Sequence, residues 1–369
     1  MLKRFVIVLS VVLSAIVVAS VLPGCGSGSQ RTLFIIAQGT STVGSFQIGG
    51  GGALTLNSTN FGTGADPQAI LTDSQRRYAF VLNNAGLGLQ GGVFQYTIDR
   101  SKGTLAVVQA PNASSNITGP VSPVFTGRVP VAMAIDPKDN FVFVANSVDS
   151  TISVFSLDQT DGALTEVTGS PFTTGATPVS LVARGSTLFV ANQGAGTVSS
   201  YAFDSKGALT LNGTPAAVGS NTTAIQADSG GSVVFVADGT ANTVTALSAS
   251  ASGLTATSNS ATVGTAPSNL YVDPSNHLYV ANSGSNNVSA FTIGSGGALT
   301  PISGSPYSVG NAPSFITSNS GGSILFVANK GSANVSSFQI GGGGSLTAAS
   351  GSPYAASGFS GPNGLASTD

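Results

Sequence analysis

TLFVAN, residues 187–192, is a short apolar run closed by an asparagine, and the chain repeats it. Close variants occur as LFIIAQ (33–38), AFVLN (79–83), FVFVAN (141–146), VVFVAD (233–238), HLYVAN (277–282) and ILFVAN (324–329). Their closing polar residues stand 44 to 47 residues apart, with one gap of 63. A strand-rich unit recurring at that period marks propeller blades, so seven copies predict seven blades and one large insertion.

Each unit reads as four short strands bounded by turn residues. Strand A follows a proline, as in PVAMAID (130–136). Strand B is the LFVAN run, strand C is TISVFSL (151–157), and strand D follows GALT (162–165). No stretch after Cys25 has helical periodicity. The expected fold class is all-β: a seven-bladed β-propeller of four-stranded antiparallel blades. The first B run, at Leu33, has no A strand before it, while PNGLASTD (362–369) is an A strand with nothing after it. Blade one is therefore expected to be closed by the C-terminal strand, which removes both exposed edges of an open array. That last segment is one residue longer than the other A strands, which predicts a small bulge. GGGGALTL (49–56) and GGGGSLT (341–347) fall where C turns into D. Neither has a following lysine and hydroxyl in phosphate-loop order, so both read as hairpins.

With 369 residues, 41% of them apolar, 7% charged and a net charge of −2, the chain can bury a large core but has no basic field for nucleic acid. Lys3 and Arg4 precede an apolar run from Phe5 to Val21, and VLPGC then brings the single cysteine, Cys25. Residues 1–25 read as an export signal, 26–31 as a flexible tether and 32–369 as the propeller. The signal resembles that of bacterial lipoproteins, which implies lipidation at Cys25 and membrane contact through that lipid only, although Pro23 departs from the usual pattern. Ordinary cleavage near Ser20 and an uncleaved anchor remain as alternatives.

The unit seen in Pro313, LFVAN (325–329), NVSSF (334–338), SLT (345–347) and GSPY (351–354) resembles the lactonase-like seven-bladed propellers and the related surface-layer propellers with a YVTN motif. The resemblance spans residues 32–369. It implies the chemistry of enzymes that open 6-phosphogluconolactone or interconvert a carboxymuconate and its lactone, using His, Arg and Glu around a central channel. This chain has one histidine, His277, and one glutamate, Glu166. The first is expected in an A-to-B turn and the second in an outer strand, so no catalytic residue carries over. Asp73, Asp136, Asp228 and Asp273 stand where A strands end and turns begin. Arg184 replaces them in blade four; it either pairs with a neighbouring aspartate at the surface, the favoured reading, or sits near the channel mouth. No metal is expected, since there is no histidine cluster, second cysteine or calcium loop, and no cofactor is called for. No GxSxG presents a serine nucleophile.

Strand alternation places A-to-B and C-to-D turns on one face, and B-to-C and D-to-A loops on the other. Of the charged residues after Arg31, only Asp66, Arg128, Asp149, Asp238 and Lys330 fall on the second face. The longer connections of blade two, residues 84–92 and 109–128, fall there too. The candidate ligand face is accordingly ringed by Asn83, Asn146, Asn192, Asp238, Asn282 and Asn329, with Gln38 and Arg128. Its amides and hydroxyls, with Phe125, suit a carbohydrate, a peptide or an envelope protein. The competing reading is that each asparagine bonds its own turn. The functional expectation is an exported binding or scaffold protein at the cell envelope. The alternative is a lactone hydrolase of the 6-phosphogluconolactonase-like family, and a third reading is a purely structural envelope protein.

Overall fold

The computed structural model describes residues 30–57, 61–85, 90–108 and 123–369. Cys25, the signal and most of the blade-two insertion lie outside these residues. The B strands explain the architecture. In Thr32–Ala37 every side chain is buried. Leu33, Ile35 and Ala37 pack with Phe326 of blade seven, while Phe34 and Ile36 pack with Ile70 and Val81 of blade two. Successive side chains of a strand point to opposite faces, and here both faces meet a neighbouring sheet. That is why the run is continuously apolar rather than alternating. The same division recurs around the ring, so among the described residues each blade-to-blade interface holds its own apolar cluster.

Each sheet runs antiparallel in the order A-B-C-D. In six blades a further two to five residues pair with C beyond the D strand; in blade five D is one strand, Gly253–Thr262. Pro362–Ser367 pairs with Thr32–Ala37 and completes blade one as the sequence predicts. The bulge is more general than expected. In every A strand the residue after the first is skipped in the ladder, as between Pro130 and Ala132 or Pro267 and Asn269. A bulge re-aims the side chain it carries. Thr223, Ser268 and Ser314 use it to donate to the carbonyls of Pro267, Pro313 and Pro362 in the next blade, at 2.7, 2.7 and 2.8 Å. Asn363 donates likewise to Pro67, at 3.0 Å.

The glycine-rich hairpin of blade one folds as a single 3-10 turn, Gly50–Gly52, with Gly52 at φ +84. Its Gly52 carbonyl accepts from Ser337 Oγ of blade seven at 2.7 Å. The turn reading therefore holds, and the hairpin also seals the ring.

The residue before each A-strand proline adopts a left-handed conformation, and in blade three that residue is Val129, at φ +51. A β-branched side chain is strained there. Val129→Gly is expected to raise stability by roughly 1 kcal/mol, which would show as a higher denaturation midpoint at unchanged slope; a lower midpoint would refute the assignment of strain.

Candidate functional site

The ring of asparagines lies inside the blades. Asn83 is 3% exposed, and Asn146, Asn192, Asn282 and Asn329 are 0% exposed. In four of them Nδ2 donates to a serine of strand C: Ser153, Ser199, Ser289 and Ser336, at 2.9 to 3.0 Å. Asn83 bonds Thr63 instead. Asp238 accepts from the amides of Thr240 and Ala241 in its own turn. Arg128 remains half-exposed on that face, paired through Nε with Asp149. Blade one shows how tightly these positions are coupled. Its register puts Ala37 in the asparagine's place, paired with Thr42 and Pro362 as Asn146 is with Thr151 and Pro130, with Gly44 for the serine and Phe359 where other blades have a glycine against the asparagine; Gln38 lies one residue beyond the strand. A Cβ on Gly44 would lie 2.0 Å from the Phe359 ring, so all three positions change together. Asn146→Ala is expected to cost about 1–3 kcal/mol, the penalty of leaving buried partners unpaired, read as a fall in melting temperature. An unchanged melting curve would remove this structural role.

The aspartates ending the A strands also hold turns. Asp136 Oδ1 accepts from the amides of Asn140 and Phe141 at 2.6 and 2.7 Å, and Asp73 does the same for Arg77 and Tyr78. Asp273 receives the His277 amide at 2.7 Å and faces His277 Nδ1 at 2.8 Å. His277 is the first residue of strand His277–Asn282 rather than part of the turn. It is buried against Gly344 of blade seven, where it packs two blades together. Glu166 is exposed and accepts from Ser170. Neither reaches the channel.

The A strands line a central channel of about 420 Å³. Its wall includes Ser180, Thr223, Gln226, Asn269, Tyr271 and Thr317, with one charged side chain, Arg184. This corrects the favoured reading, a surface pair with an aspartate, and supports the alternative, a place near the channel mouth. The cause is local. Arg184 pairs directly with Thr187 across a two-residue turn, Gly185 and Ser186, with Gly185 at φ +56. Other A-to-B turns run to four or five residues and need a capping carboxylate or amide. Blade four has no long turn to cap, so its side chain at that position enters the channel.

Arg184 donates to its own Ala183 carbonyl at 3.1 Å and to Gln226 Oε1 at 3.4 Å. Burial lowers its pKa, while Tyr271 and Asp228 act in the opposite direction; a guanidinium keeps its charge in such a setting. Tyr271 shares the same mouth and lies 2.5 Å from Ser318 Oγ, which donates to the Asn319 carbonyl. Tyr271 is thus the donor to Ser318, and its phenolic oxygen can still accept. Burial pushes the Tyr271 pKa up, so it is a neutral hydroxyl at pH 7. No carboxylate or imidazole lines the channel itself, and among the described residues no three His, Cys, Asp or Glu side chains cluster as a metal site. The wall can polarise a carbonyl and orient hydroxyls.

The family model described as "Lactonase, 7-bladed beta-propeller" matches residues 85–181, 167–267 and 246–364. The chain belongs to the lactonase family of seven-bladed β-propellers. No curated protein matches it in sequence. Among solved structures it is similar to a candidate 6-phosphogluconolactonase from Bacteroides fragilis, at TM-score 0.74 and 17% identity over 93% of this chain and 99% of that one. The periplasmic gluconolactonase of Pseudomonas aeruginosa has TM-score 0.74 and 19% identity over 92% and 99%. A Bacteroides uniformis relative, also a candidate 6-phosphogluconolactonase, has TM-score 0.76 and 15% identity over 92% and 100%. At these identities the structures share the lactonase fold. Membership of the lactonase family overturns the expectation of a binding or scaffold protein at the cell envelope. That expectation rested on a channel without acid, base or cation, and Arg184 supplies the cation. Sequence reasoning offered the channel mouth for this residue but favoured the surface, although a deciding signal was visible: ARGST (183–187) is the shortest A-to-B connection in the chain.

Proposed function

We propose that the chain is a lactone hydrolase acting at the Arg184 end of the channel. Its membership of the lactonase family over residues 85–364 carries the reading. In the reaction water adds to the lactone carbonyl carbon, the acyl C–O bond of the ring breaks, one water proton ends on the ring oxygen as a hydroxyl and the other passes to solvent, leaving a new carboxylate. Negative charge gathers first on the carbonyl oxygen and then on the carboxylate, and a fixed cation lowers the barrier to both. Arg184 is that cation, and Tyr271 and Gln226 orient substrate hydroxyls. The purified protein should open a panel of sugar lactones, phosphorylated and not, with saturation kinetics above the spontaneous rate. A folded protein with no saturable turnover on any of them would refute the proposal.

Export is part of the same reading, supported by Lys3, Arg4, the apolar run and Cys25 in the sequence. Cells expressing the full chain should incorporate labelled fatty acid, and Cys25→Ser should abolish that labelling. Equal labelling of both chains would exclude Cys25 as the acceptor.

A further inference from the structure

We propose that the Arg184 mouth selects an unphosphorylated lactone. The inference rests on the lactone-hydrolase reading and concerns which lactone the site takes. Arg184 is the sole cation among the residues lining the channel and the pocket that adjoins it. That second pocket brings Arg184 together with Tyr271, Ser229 and the carboxylate Asp273. Asp228 stands on the other flank. Its turn packs on the arginine, with Gly231 so close that a Cβ there would lie 3.0 Å from Arg184 Cβ. Lys138 and Lys206 line a separate pocket that shares Gly185, where Asp136 and Asp204 stand beside them. The mouth therefore holds one positive charge with the Asp228 carboxylate on its flank, while Asp273 is buried and held by His277. A phosphate monoester brings about two negative charges at pH 7 and would find no surplus cation, no second arginine for bidentate capture and no helix N-terminus. A neutral lactone, which becomes a monoanion on opening, matches a single guanidinium, and the flanking Asp228 carboxylate favours release of the acid.

The repeats supply a substitution that tests this. Blade seven has Asn319 where blade five has Asp228, and Asn319 caps its turn by accepting from the Ser323 and Ile324 amides at 2.9 and 2.8 Å. Asp228→Asn should therefore fold while removing one negative charge from the mouth. Binding of gluconate and of 6-phosphogluconate to the full chain is measured by calorimetry, beside kcat/KM for the two parent lactones. The expected result is gluconate binding on the order of tenfold tighter than 6-phosphogluconate, the same order in kcat/KM, and a narrower gap in Asp228→Asn. Equal or tighter binding of 6-phosphogluconate, or no binding of either acid, overturns the inference. Gluconate preference in a protein that opens no lactone would overturn the hydrolase reading alone, and turnover favouring the phosphorylated lactone would overturn this inference alone.

Discussion

Deleting residues 361–369 is expected to abolish cooperative unfolding of the ring and to make the chain aggregate. The strand removed, Pro362–Ser367, supplies the whole innermost strand of blade one. Leu365 is 2% exposed and packs with Leu33 and Phe326, while Ala366 packs with Phe34 and Ile70 on the other side. Its loss opens two interfaces at once and leaves the edge of Thr32–Ala37 unpaired, a template for pairing with other chains. Beyond the strand, Thr368 N donates to the Thr32 carbonyl at 2.8 Å and Arg31 pairs with Asp369. The hydrogen bond from Arg31 holds the Asp369 carboxyl below its usual pKa. A depressed carboxyl contributes stability above its unfolded value and loses it as pH falls through the folded one, so closure should also weaken in acid. Leu365→Ala separates closure from simple loss of burial. It should cost about 2–4 kcal/mol yet keep one transition, because the backbone ladder stays. A truncated chain that remains monomeric with the wild-type melting curve would show that the ring does not depend on its last strand.

The fold was legible because seven repeats state the same pattern seven times. Strand, turn and closure all follow from where LFVAN, proline and GALT fall. The bulge was less legible, since a skipped residue inside a strand leaves the period of apolar residues intact; only the hydroxyls of Thr223, Ser268 and Ser314 hint at it. The asparagine ring was visible as a pattern but not as a burial state. Asparagine after a strand reads the same whether its amide meets a ligand or the serine two strand positions into the next strand, as Asn146 meets Ser153. Arg184 was misread for a different reason. Position in the repeat aligned it with four aspartates that cap turns, and the alignment hid the fact that its own turn is too short to need a cap. Where a repeat departs from its siblings in both residue and loop length, the departure is the better guide to chemistry than the shared position.

Arg184→Gln should then lower kcat/KM for lactone opening by roughly 10²–10³-fold, the usual loss when one donor to a developing oxyanion is removed. Stability should change little. The side chain makes one long bond to Gln226 and one to its own backbone, and glutamine replaces a partly buried charge with a neutral amide. The fall should lie in kcat as well as KM, because the charge being stabilised grows after binding. Arg128→Gln, on the opposite face and paired with Asp149, serves as the control and should leave turnover unchanged. A second route reaches the same site through the backbone. Replacing Arg184–Gly185–Ser186 with the blade-three turn DPKDN (136–140) restores a capped turn, which the repeat tolerates elsewhere, and withdraws the cation. That chimera should melt as a folded propeller and hydrolyse at the spontaneous rate. If Arg184→Gln and the chimera both keep wild-type kcat/KM while folded, the reaction does not use this mouth, and the channel wall at the Gln68 and Asn363 end becomes the place to look.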